Sequence, residues 1–253
     1  MRWLQVWILL TGLALGAPSY GQSAEEARLT NAGAVLQRFT DDPETAIPPG
    51  LLQQARGIAV IPGAVRMGFI LGGRRGRGVV TVRTDDGSWS NPAFITLTGG
   101  SVGLQIGVEA MDIVLVFGSA RSVDTIHRGK FTLGSDAAVT AGPVGRAARA
   151  TTDMTFTSEV YAYADSRGVF AGASLEGTRL SIDAPANRSF YPPGSSAQPL
   201  QAQSFSTPAA VRRFLLSLAR AEEVSAPPPG QSGNTSENGT AITYPLGGSE
   251  DSN

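Results

Sequence analysis

Residues 91–107 read NPAFITLTGGSVGLQIG, and their alternation decides how the rest of the chain is read. Val102, Leu104, Ile106 and Val108 recur at every second position, the period of a strand, and so share one face. Gly103, Gln105 and Gly107 take the other face, where backbone can approach closely. Such a face offers no nucleophile, no general base and no metal ligand. It suits layer packing or contact with a flat partner, and points to a β-rich domain that is not an enzyme.

The same period extends outward. Residues 58–61 and 68–71 read as strands, and 79–84 and the segment from Trp89 flank Asp85-Asp86-Gly87, a hairpin signal. The run IVLVF within 112–117 fits a central strand buried on both faces. Residues 156–164 and 169–175 make another expected hairpin, followed by a strand at 180–182. Helical spacing marks the two ends. In 23–40, Ser23 is the expected N-cap and Leu29, Ala32, Leu36 and Phe39 form one stripe. In 207–223, Thr207 caps, Pro208 takes the first position, and Val211, Phe214, Leu215 and Leu218 form the apolar face. Short helices are expected at 51–56 and at 122–128, the latter capped by Ser122 and left through Gly129. The expected fold is α+β: a Gly-rich antiparallel sheet, bent or barrel-like, flanked by N-terminal and C-terminal helices.

The chain has 253 residues, 42% hydrophobic and 16% charged, enough for one sizeable core and too little charge for a disordered protein. The absence of cysteine excludes disulfides, thiol catalysis and Cys-based zinc sites, and a single histidine, His127, excludes His-rich metal sites. Arg2, an apolar run from Trp3 to Ala17 and the small residues Ser19 and Gly21 read as a signal peptide over 1–21. That run is short of the ~20 residues a membrane span needs. The expected domain is then 22–224, periplasmic or secreted, and 225–253 lacks a core pattern and is expected to be disordered. Leader and tail aside, residues 22–224 carry about +1. A near-neutral domain argues against nucleic acid as a partner.

The sharpest local feature is Gly72-Gly73-Arg74-Arg75-Gly76-Arg77-Gly78. Its glycines can present backbone N–H groups to an anion while its arginines clamp phosphate oxygens. The plainer alternative is a tight turn between strands with solvated arginines. It is neither a Walker A loop nor G-x-G-x-x-G. A catalytic triad would have to use His127, and the acids, including Glu109 and Asp112, are scattered, so no catalytic residue, metal or cofactor is assigned. In the C-terminal helix, Arg212, Arg213 and Arg220 stand beside Phe214, the composition of an interfacial helix. The alternative is a helix that lies on the sheet to bury its stripe. Asn187-Arg188-Ser189 has the form of a glycosylation sequon.

The segments ARGIAVIPGAVRMGFILGGRRGRGVV (55–80), DGSWSNPAFITLTGG (86–100) and GKFTLGSDAAVTAGPVGR (129–146) closely resemble the SYLF domain, over roughly 51–183. That resemblance implies a lipid-binding module, since family members bind lipids, notably phosphoinositides in eukaryotes, and some bind actin. Arg66, Arg74, Arg75 and Arg77 are then the best local candidates for headgroup contact, with no family motif fixing their roles, and the composition of the C-terminal helix makes Arg212, Arg213, Phe214 and Arg220 the candidate membrane-contacting face. The counterpart of the family's basic N-terminal segment, 23–56, is not basic here. An exported protein meets no actin, so the expected partner is an anionic lipid or membrane surface, with peripheral association. The alternative is a structural or protein-interaction module with an envelope protein as partner.

Overall fold

A computed structural model describes residues 23–42, 46–68, 71–102, 107–144, 157–165, 175–191 and 208–224. The expected leader 1–21 and tail 225–253 lie outside these residues, as do Thr207 and 169–174. The elements are α1 (Ala24–Asp41), α2 (Pro49–Gln54), β1 (Gly57–Gly68), β2 (Leu71–Val82), β3 (Ala93–Val102), β4 (Gly107–Phe117), α3 (Ala120–His127), β5 (Lys130–Thr132), β6 (Val139–Ala141), β7 (Val160–Asp165), β8 (Arg179–Ile182), α4 (Ala184–Phe190) and α5 (Ala209–Val224). The strands form one sheet in the order β5-β8-β3-β2-β1-β4-β7-β6.

The α+β class and the flanking helices stand as expected. The sheet is mixed rather than wholly antiparallel, because β6 runs parallel to β7. β3 ends at Val102 and β4 begins at Gly107, and Gly103, Leu104, Gln105 and Ile106 of the strand expected through 102–108 lie outside the described residues. These two strands are not neighbours, since β2 and β1 lie between them.

The sheet curls. Phe117 of β4 and Phe131 of β5 belong to distant parts of the strand order, yet their rings meet edge-to-face at 5.6 Å. The face they share is therefore the inside of the curl, filled by the sheet's own side chains: Ile61, Val80, Ile95, Leu97, Ile113, Leu115 and Leu180 among them. Gly76 and Gly78 permit the tight approach of β2 to β1. A Cβ on Gly78 would sit 2.2 Å from the Val60 carbonyl oxygen, and one on Gly76 would sit 2.6 Å from Ile61. A bulge at Pro62-Gly63 bends β1 opposite both partners, with Gly63 at φ +55°.

The outer face is divided. Ile58, Val60, Val79, Phe94, Val114 and Val116 lie beneath the helices and form a second core with Leu29, Leu36, Val211, Phe214 and Leu218. Helix α1 starts where expected, with Ser23 Oγ accepting from the Glu26 N–H at 3.1 Å. It crosses α5 closely at Gly33, where a Cβ would lie 3.1 Å from Ser217 Oγ. Arg38 of α1 pairs with Asp112 and Asp165, and Asp112 accepts the Gly63 N–H of the bulge at 2.7 Å. One arginine thereby ties the helix layer to the bend in the sheet.

Three local expectations need correction. The cap of α3 is Ser119, whose Oγ accepts from the Ser122 N–H, rather than Ser122; Gly129 leaves the helix at φ +87° as expected. Helix α4 occupies a stretch with no expected element, and Asp183 caps it by accepting the Ala186 N–H. Asn187 is 1% exposed, accepts from the Phe94 N–H and donates to the carbonyls of Phe94 and Asp183. The sequon it opens is sealed inside the fold.

Candidate anion-docking surface

The Gly-Arg run 72–78 is neither a cradle nor a turn. It lies within β2, hydrogen-bonded to β1 on one side and β3 on the other. Alternation therefore splits its arginines between the two faces. Arg74 points to the inner face with Gly76 and Gly78, while Arg75 and Arg77 point out.

Arg74 is 4% exposed. Its lateral neighbours are Gly99 of β3 and Arg66 of β1, and Arg66 stands opposite Glu109 of β4. Burial, and then the like charge of Arg66, push the Arg74 guanidinium below the ordinary arginine value, while Glu109 opposes them. So the four arginines taken together from sequence do not form one group. Arg66 and Arg74 share the inner face, and Arg75 and Arg77 share the outer one.

Both outer arginines are exposed, and neither makes an ion pair among the described residues. The arginines that the fold uses differ. Arg28 pairs with Asp183 at 3.1 Å and lies over the Phe94 ring at 5.2 Å. Arg83 pairs with Glu222 and stacks on Trp89 at 4.2 Å, while the Trp89 indole N–H donates to the same carboxylate.

On α5, Arg212, Arg213 and Arg220 are exposed as expected. Phe214 is not: it is 1% exposed and packs into the helix-covered core, so it belongs to the face turned towards the sheet. The apolar residue that accompanies the three arginines at the surface is Leu216, 58% exposed. The helical spacing that put Phe214 on an apolar stripe had already allied it with Val211 and Leu218.

The acids weighed for catalysis do not converge. Glu109 and Asp112 are three residues apart on β4 and face opposite sides of the sheet, with Asp112 held by Arg38. His127 ends α3. No cluster of three His, Asp or Glu suited to a metal occurs among the described residues. A cleft of about 350 Å³ is lined by Leu51, Gln53, Gln54, Ala55, Arg56 and Arg83, with no carboxylate or hydroxyl on its wall. No described helix is long and apolar enough to cross a membrane.

A family profile described as "Las17-binding protein actin regulator" matches residues 98–221. This domain belongs to the SYLF family. An SH3 domain-containing protein of Schizosaccharomyces pombe is 37% identical over 196 residues, which is 74% of this chain and 45% of that protein. Protein YSC84 of Saccharomyces cerevisiae is 40% identical over 151 residues, 58% of this chain and 32% of its own length. The human SH3 domain-containing YSC84-like protein 1 is 35% identical over 166 residues, 63% of this chain and 48% of its own. The SYLF chain described here thus spans less than half the length of these relatives.

Proposed function

We propose that this SYLF domain is a non-catalytic module that docks on anionic, phosphate-bearing membrane surfaces in an exported setting, periplasmic or secreted. The observation that carries this reading is the pair Arg75 and Arg77. They stand exposed on one strand face without a carboxylate partner among the described residues, whereas Arg28, Arg38 and Arg83 are all spent on internal ion pairs. Guanidinium forks suit phosphate oxygens geometrically as well as electrostatically. Each cation brought near an anionic leaflet contributes ~1 kcal/mol, so a handful gives reversible, salt-sensitive attachment. The exposed α5 stripe of Arg212, Arg213, Leu216 and Arg220 is the alternative contact for such a surface.

Vesicle flotation of the full chain tests this. The expected result is flotation with vesicles containing phosphatidylglycerol, none with pure phosphatidylcholine, and release at about 0.5 M salt, where the Debye length falls to a few ångströms. Failure to float with any anionic vesicle overturns it.

A second reading, a protein-interaction module, is favoured by the family description, which names a Las17-binding actin regulator. Under it, the full chain sediments with purified actin filaments in the absence of lipid. Flotation without such sedimentation favours the first reading.

A further inference from the structure

Strand order gives Arg75 and Arg77 neighbours that chain order hides. Across the sheet from Arg77 lie Thr96 of β3, then Ser181 of β8, then Lys130 of β5. Across from Arg75 lie Thr98, then Arg179, then Thr132. Paired residues in adjacent strands project to the same face, so these two rows share the outer side of the sheet. The alternate residues Ile95, Leu97, Phe131, Leu180 and Ile182 pack on the inner side, which agrees with this placement. Arg75, Arg77, Arg179 and Lys130 are all exposed, and none makes an ion pair among the described residues. No carboxylate falls in either row; the positions between the cations are hydroxyls.

We infer that this quarter of the outer face, spanning β2, β3, β8 and β5, is the surface on which the domain meets an anionic bilayer. The inference rests on the docking reading above and assigns it a place. Strand spacing sets Lys130 about 14 Å from Arg77 in one row and Arg179 about 10 Å from Arg75 in the other, with the rows about 7 Å apart. Cations held that far apart on the outside of a curled sheet do not converge on one phosphate. They fit separate phosphates, with Thr98, Thr132 and Ser181 supplying hydroxyl donors between them.

The next row strengthens the choice of a bilayer. Beyond Arg75 the same face carries Met67, paired with Gly73, which in turn pairs with Gly100. Met67 is 56% exposed, and a Cβ on Gly73 or Gly100 would meet nothing within 4 Å. The face therefore passes from a basic frame to a level shelf bearing one free apolar side chain. A charged surface with an apolar layer behind it matches that order.

Flotation with phosphatidylglycerol vesicles tests the assignment with two variants of the full chain. One carries R75Q, R77Q, K130Q and R179Q; the other carries R212Q, R213Q and R220Q. Every substituted side chain is exposed, and matching circular dichroism and melting curves confirm that both variants fold. The expected result is a loss on the order of a hundredfold or more in vesicle affinity for the sheet variant, with a flatter salt dependence. The helix variant is expected to stay within about fivefold of the parent chain. A sheet variant that floats like the parent, with a helix variant that does not, overturns this assignment and leaves membrane docking intact. A parent chain that floats with no anionic vesicle removes both.

Discussion

The two faces of β2 put the same residue types to opposite uses. On the inner face, Gly76 and Gly78 are bare so that β1 can close against them, and Arg74 is buried among strands. On the outer face, Gly73 is bare with open space above it, and Arg75 and Arg77 reach into solvent. A glycine or an arginine in this strand is thus structural or available according to parity alone. The curl makes the difference: it dries one side of the strand and leaves part of the other uncovered.

Exchanging a glycine on each side gives the largest contrast. Gly78→Ala places a methyl group 2.2 Å from a backbone carbonyl that cannot turn away. The expected cost is about 3 kcal/mol or more in urea unfolding, at or above the upper range for overpacked cores, because backbone must move. Gly73→Ala meets no atom and is expected to change stability by less than about 0.5 kcal/mol. Equal effects at the two positions would mean that β2 does not curl as described.

An intermediate effect sharpens the division within the outer face, between its helix-covered part and its bare part. Tyr163 and Tyr191 belong to the covered core, and burial raises both phenols well above the ordinary tyrosine range, with Tyr161 adding to the shift at Tyr163. Their hydroxyls donate to the carbonyls of Pro143 and Pro92. A phenol kept neutral in the fold contributes stability that is complete below its unfolded value near 10 and is lost as pH rises above it. The expected loss is about 1.5 kcal/mol between pH 9 and pH 10.5, read from urea midpoints. Tyr163→Phe with Tyr191→Phe removes most of that slope. A flat stability profile through this range would show that water reaches the covered half too.

Much of this architecture could be read directly from residues, and the part that could not has a common cause. Ser23 and the Leu29–Ala32–Leu36 stripe mark α1 because capping and helical period are local. The buried strand at Ile113, Val114, Leu115, Val116 and Phe117 announces itself by composition. GGRRGRG did not read as a strand, since glycine is depleted in strands and its value here lies in contact with Val60 and Ile61 of another strand. Arg179 and Lys130 escaped notice for the same reason. They stand more than 50 residues from Arg75 in the chain and join its face only through β3 and β8. Helix α4 hid behind Pro185 and a Ser-rich continuation, yet Asp183 was a legible cap.

The smallest expected effect is the most discriminating for the candidate site. Arg74 adjoins Arg75 in sequence, and a purely compositional view of the Gly-Arg run makes the two equivalent. In the fold, Arg74 is 4% exposed on the inner face, where no vesicle can touch it without opening the sheet. Arg74→Met keeps the length and apolar stem of the side chain while removing its buried charge beside Arg66 and Glu109. Vesicle affinity of that variant is expected to stay within about twofold of the parent, while Arg75→Gln alone lowers it about fivefold, the share of one cation near an anionic leaflet. If Arg74→Met weakened binding as much as Arg75→Gln without lowering the melting temperature, the two arginines would have to share a face. The strand parity on which the docking surface is built would then be wrong.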